Sequence, residues 1–116
     1  GEPHFRALER ALVQELAARD TLVIGTGGGI VLNSDNIYDF SHTGLVVCLS
    51  LKPETILERL AGDTTRPLLA GNDKLRRIQD ILETRRPLYD AIPNQVDRNA
   101  LDVDQTVASI IHLYRA

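Results

Sequence analysis

Three consecutive glycines, Gly27, Gly28 and Gly29, follow the run Thr21-Leu22-Val23-Ile24-Gly25-Thr26 and precede Ile30-Val31. Glycine loses more backbone entropy on folding than any other residue, so three in a row need a reason. One reason is a turn at a strand's end, whose bare backbone lets a ligand approach and whose N–H groups meet an anion or hydroxyl. The alternative is a tight strand-to-helix connection with nothing bound. Arg85 raises a similar question. Leu75, Ile78 and Leu82 mark one helical face, and Arg85 is the next position on it. An unpaired charge there is expensive, so it calls for an anionic ligand, a buried salt bridge or a side chain that reaches out to water. Arg66 lies near the middle of Gly62–Gly71, a glycine-bounded segment that reads as a mobile loop. By itself it is an ordinary surface arginine. Arg6 has Glu2 and Glu9 at helical spacing, with Arg10 beside them, and intrahelical ion pairing accounts for it. His4, His42 and His112 lack ligand spacing, and no metal site is expected in these residues.

The elements that must position these groups follow from periodicity and punctuation. Phe5, Leu8, Leu12 and Leu16 predict one buried stripe on a helix over residues 1–19, with Pro3 in its first turn. The uncharged runs at 21–24 and Leu45–Leu49 predict strands of a parallel sheet. Asn33-Ser34-Asp35 offers a cap for a short helix over 36–40, ended by Gly44. Pro53 suits the first position of a helix packed through Ile56, Leu57 and Leu60. Asn72 or Asp73 caps the next, which runs to about Arg86 before Pro87 closes or kinks it. A short strand at Gln95–Asp97 follows. Asp102 with Gln105 resembles a capping box, and Val103, Val107, Ile110, Ile111 and Tyr114 predict a terminal amphipathic helix. Strands alternating with helices predict an α/β parallel sheet flanked by helices.

Composition narrows the function classes. At 116 residues and 43% hydrophobic content, one domain with one core is the expectation. The net charge is −3 with no basic block, which argues against nucleic acid or an anionic membrane as partner. Cys48 is alone and sits in an apolar run, so it reads as a small core residue. With no signal peptide or transmembrane span in the sequence, a cytoplasmic home is expected.

The segments GEPHFRALE, VIGTGGGIV, ERLAGDTTRPLL, ETRRPLY and QVD, in this order and spacing, resemble shikimate kinase from just before its substrate-binding helix to its C-terminus. FR, GGG, RPLL and RxPLY are each weak alone and specific together. The resemblance implies a single, incomplete domain over residues 1–116, a partial P-loop kinase fold lacking the N-terminal strands. It implies that Arg6 and Arg85 grip the carboxylate of shikimate, which suits paired guanidiniums reading one small anion. Gly27, Gly28 and Gly29 match the glycines that meet the substrate, and Glu9 a glutamate that holds the substrate-site arginine or a water. Arg66 matches the arginine of a lid spanning residues 62–71 that faces the transferring phosphoryl group of ATP. Arg59 matches a residue that packs on adenine.

Departures shape the expectation further. Family members carry a GxxxxGK[ST] loop, which serves the phosphates of ATP and Mg²⁺, and no Gly-Lys-Ser or Gly-Lys-Thr occurs here. ATP and Mg²⁺ would both need that segment, so this chain alone is expected to be inactive. Pro93 interrupts a stretch that the family more often runs through, and Arg98–Leu101 have no clear match. With the central strand of the family sheet absent, the 22–24 and 45–49 strands are expected to pair directly or through a neighbouring molecule, a strand-mediated self-association. Other readings are a small P-loop kinase for a different hydroxy acid, a kinase-like ligand-binding module of a regulator, and a stable fragment without a function.

Overall fold

The computed structural model describes residues 1–61 and 71–116, which divide into two units, Gly1–Val46 and Val47–Ala116. Of the predicted lid, residues 62–70, Arg66 among them, lie outside the described residues.

The first unit is helical. Helix α1 (Glu2–Ala17) carries Pro3 in its first turn, where the missing N–H costs nothing. A short 3₁₀ turn over Gly28–Leu32 leads to α2 (Ser34–Thr43). The Asn33 side chain caps α2 by accepting from Asp35 N at 3.0 Å, and Gly44 N closes it by donating to Phe40 O at 2.9 Å. Val13, Ile30, Val31 and Asn36 are buried where these elements meet. The structure corrects two expectations here. Residues 22–27 form no strand, and Val23 is fully exposed. A strand exists only where a neighbour satisfies its N–H and C=O groups, and β-branched content alone supplies no neighbour. The two predicted strands therefore do not pair with each other. Second, Phe5, Leu8 and Leu12 are exposed, whereas Arg6, Glu9, Arg10, Val13, Leu16 and Ala17 are more covered. Periodicity marks an apolar stripe on α1, but the partner chooses the face, and α2 bonds to the side that carries Arg10.

The second unit holds a parallel pair, β1 (Val47–Ser50) and β2 (Asn94–Asp97), with Val47 opposite Asn94 and Ser50 opposite Asp97. This is the α/β pattern expected, although β1 starts two residues later than predicted. Helices α3 (Pro53–Ala61) and α4 (Gly71–Asp90) lie between the strands in sequence and pack on each other. Helix α4 runs on through Pro87 to Asp90, so the expected end near Arg86 is corrected and Pro87 does not close the helix. Proline removes one N–H and crowds the preceding turn, but its carbonyl still accepts from Ala91 N at 3.2 Å, so the final turn is kept. Helix α5 (Val103–Arg115) starts with the full capping box: Asp102 Oδ1 accepts from Gln105 N at 2.8 Å, and Gln105 Oε1 accepts from Asp102 N at 2.9 Å. Its covered side is Thr106, Ile110 and Leu113, while Val103, Val107, Ile111 and Tyr114 of the predicted stripe are exposed. The carboxyl ends of the strands are tied together. Arg98 N donates to Ser50 O at 2.9 Å, and the Asn99 side chain accepts from Lys52 N at 2.7 Å. No helix among the described residues is long and apolar enough to cross a membrane.

Candidate functional site

Arg6, Glu9 and Gly29 come together in the first unit. Arg6 Nε donates to Glu2 Oε1 at 3.0 Å and NH1 donates to Glu9 Oε1 at 2.9 Å. Glu9 is the anchored partner, since its side chain is 15% exposed against 70% for Glu2. The guanidinium also lies over the Phe5 ring, 5.0 Å from its centroid. Hydrogen bonds donated to Glu9 first and to Glu2 second raise the Arg6 pKa further above its ordinary value, so the charge is permanent. The expected intrahelical pairing of Arg6 is therefore present, but it does more than decorate a surface. It orients a guanidinium whose NH2 donates to no acceptor among the described residues.

The glycine at 29 is explained by space. A Cβ built there would stand 2.5 Å from Arg6 NH2 and 2.6 Å from NH1. At Gly27, by contrast, a Cβ meets nothing within 4 Å, and the backbone is extended at φ −71°, ψ 159°. Gly29 lets the chain pass directly beneath the guanidinium, and Gly27 leaves one side of the turn open. Gly28 opens the 3₁₀ turn between them. The arrangement sets guanidinium N–H donors beside bare backbone, with the charge of Arg6 already offset by Glu2 and Glu9.

A second polar cluster supports this turn and was not foreseen in the sequence. Arg10, expected to pair along α1, reaches across to α2: NH2 donates to Asp39 Oδ2 at 2.6 Å and NH1 to Asn36 Oδ1 at 3.2 Å. Asn36, 1% exposed, donates from Nδ2 to the Ile30 carbonyl at 3.1 Å. The partial signal was two polar residues, Asn36 and Asp39, three apart on a short helix. Nothing in the sequence names Arg10 as their partner.

The remaining expected residues lie in the second unit or outside the described residues. Arg85 stands on α4 and is half-buried with Leu75, Ile78 and Leu82, as the spacing requires. Among the described residues no carboxylate lies within salt-bridge distance of it. Arg59 is exposed in the last turn of α3.

A family model described as shikimate kinase matches residues 1–115. Among curated proteins, the shikimate kinase of Pelotomaculum thermopropionicum is 37% identical over 115 residues, covering 99% of this chain and 67% of that protein. That of Caldanaerobacter subterraneus subsp. tengcongensis is 36% identical over 114 residues, 98% of this chain and 67% of its own length. A Xylella fastidiosa shikimate kinase is 41% identical over 96 residues, 83% of this chain and 53% of that protein.

Proposed function

Because the chain belongs to the shikimate kinase family, we propose that it serves the ATP-dependent phosphorylation of a shikimate hydroxyl, in aromatic amino-acid synthesis. Its own share of the task is to hold the substrate by its carboxylate. The observation that carries this reading is the Arg6 guanidinium, fixed by Glu9 and Glu2 directly over Gly29 with no acceptor on NH2 among the described residues. A planar guanidinium presents paired N–H donors that match a carboxylate, and preorganising it in advance spares the entropy of fixing a long side chain on binding. Arg85 supplies the second guanidinium in this reading, and the amides of Gly27–Gly29 line the approach. Glu9 keeps Arg6 in place.

Arg66 is assigned the transferring phosphoryl group and Arg59 the adenine, both on the family motif. In phosphoryl transfer the protein contributes mainly positioning and charge, which suits an arginine. ATP is the phosphoryl donor of this reading. Mg²⁺ would be held with the ATP phosphates through a Gly-Lys-Ser or Gly-Lys-Thr loop, which does not occur among these 116 residues. No step is assigned to the metal on this chain.

The test is phosphoryl transfer from ATP to shikimate by a kinase that carries a relative's phosphate-loop segment ahead of Gly1. Arg6→Ala and Arg85→Ala should each raise the KM for shikimate roughly thirtyfold or more, as when one partner of a charged hydrogen-bonded pair is removed. The two losses should not add, because both groups bind one carboxylate. If both variants kept the parent KM, the carboxylate assignment would be wrong.

A further inference from the structure

We infer that Asn36 is a positioning residue for the substrate site: held by Arg10, which Asp39 orients, it pins the Ile30 carbonyl and so fixes the glycine turn against Arg6. The inference rests on the carboxylate reading of Arg6 and Gly29. Asn36 is the largest side chain in the described chain with less than 2% exposure, and it is polar. A buried amide costs free energy unless both ends are bonded, and here both are. Its oxygen accepts from Arg10 NH1 at 3.2 Å, and its nitrogen donates to Ile30 O at 3.1 Å. Arg10 is oriented in turn by Asp39 at 2.6 Å, on the same helix as Asn36. One side chain therefore joins α1, α2 and the 3₁₀ turn.

The bonded carbonyl belongs to Ile30, the residue that follows Gly29. Arg6 and Arg10 are one turn apart on α1, so the same helix grips the glycine turn twice. Arg6 lies directly against Gly29, and Arg10 acts through Asn36 on Ile30. The Asn36 bond sets the height of this turn from the Ile30 side. Ile30 N donates to Gly27 O at a long 3.3 Å, and Gly25 and Gly27 have no neighbour within 4 Å of a built Cβ. Ile30 and Val31 are buried, but apolar contact is non-directional and does not fix the turn's register. The Asn36 bond is directional. Arg6 meets its ligand correctly only while the glycines stay at that height, so Asn36 acts on substrate affinity without touching substrate.

The test uses the kinase described above, with shikimate and ATP varied in turn. Asn36→Asp keeps an acceptor for Arg10 and replaces the donor facing Ile30 O with a second acceptor. The KM for shikimate should rise about tenfold, the scale of one directional bond lost from a buried group. The KM for ATP should stay within about twofold. A merely structural role would lower the active fraction, and with it kcat, while leaving both KM values alone. If Asn36→Asp does not fold, Arg10→Lys decides. It keeps the charge but loses the fork that reaches Asn36 and Asp39 together, and should raise the shikimate KM about threefold. An unchanged shikimate KM in the folded variant overturns the inference. Arg6→Ala separates the two layers. If it raises the KM while Asn36→Asp and Arg10→Lys do not, only the role of Asn36 falls; if it too is silent, the carboxylate reading falls with it.

Discussion

Replacing Gly29 with alanine places one methyl group where the structure has no room. The new Cβ would stand 2.5 Å from Arg6 NH2, 2.6 Å from NH1 and 2.9 Å from Cζ. Ordinary carbon contacts begin at about 3.5 Å, so the guanidinium must retreat by roughly 1 Å. NH1 is tied to Glu9 at 2.9 Å, so that retreat stretches the bond to the anchored glutamate. The stability cost should be about 1 kcal/mol, the low end for overpacking, because Arg6 is long and can swing outward. The functional cost should be larger. A binding group misplaced by about 1 Å can lose up to two orders of magnitude, so the shikimate KM should rise between tenfold and a hundredfold. Arg6→Ala provides the decisive background. With the guanidinium gone, Gly29→Ala should cost nothing or stabilise by about 0.4–1 kcal/mol, because alanine restricts the unfolded chain. Urea denaturation of this chain, its two single variants and the double variant measures the cycle. An equal stability loss in both backgrounds would refute the contact between Gly29 and Arg6.

Other outcomes follow from separate features. Asp102→Ala removes the acceptor for Gln105 N and should cost about 1 kcal/mol in urea denaturation, the usual value of an N-cap. Thr21, a β-branched residue at φ 60°, should be relieved by Thr21→Gly, with a net gain of about 0.5 kcal/mol in the same assay once glycine's unfolded-state entropy is set against it. Burial first, and the nearby Asp90 charge second, push the Cys48 thiol above its ordinary pKa. A raised pKa in the folded state favours folding while the thiol is protonated. Stability should therefore fall as pH rises from the ordinary thiol pKa through the folded value, and Cys48→Ala should flatten that slope in urea midpoints measured against pH. Arg66→Ala should lower kcat with little change in shikimate KM, whereas exposed Arg77→Ala should be nearly silent in both.

Local chemistry was legible in the sequence wherever one residue decides the outcome. Asn33 and Gly44 bound α2, Pro53 opens α3, and Asp102 with Gln105 caps α5, because each acts on backbone groups within a turn of itself. The stripe on α4 was also legible, and it carried Arg85 to its half-buried position. What failed required knowledge of a partner. The Leu22–Ile24 run has strand composition but no strand, and Phe5, Leu8 and Leu12 form a stripe that α2 does not cover. Arg10 has glutamates nearby in sequence and chooses Asp39 on another helix. Within the candidate site, the residue types at 6, 9 and 29 could be named in advance. That Gly29 is glycine because of Arg6, and that Asn36 supports the turn from below, are facts of packing that spacing does not encode.

The central claim is that Arg6 reads a carboxylate, and neutralising that group on the ligand tests it most directly. The measurement is the KM for shikimate and for its methyl ester, in the kinase with a phosphate-loop segment ahead of Gly1 and in its Arg6→Ala variant. The parent should prefer the free acid by about tenfold or more, the scale of a charge-assisted bond. In Arg6→Ala most of that preference should disappear, leaving only what Arg85 contributes. A preference for the acid that survives Arg6→Ala at full strength would contradict the account.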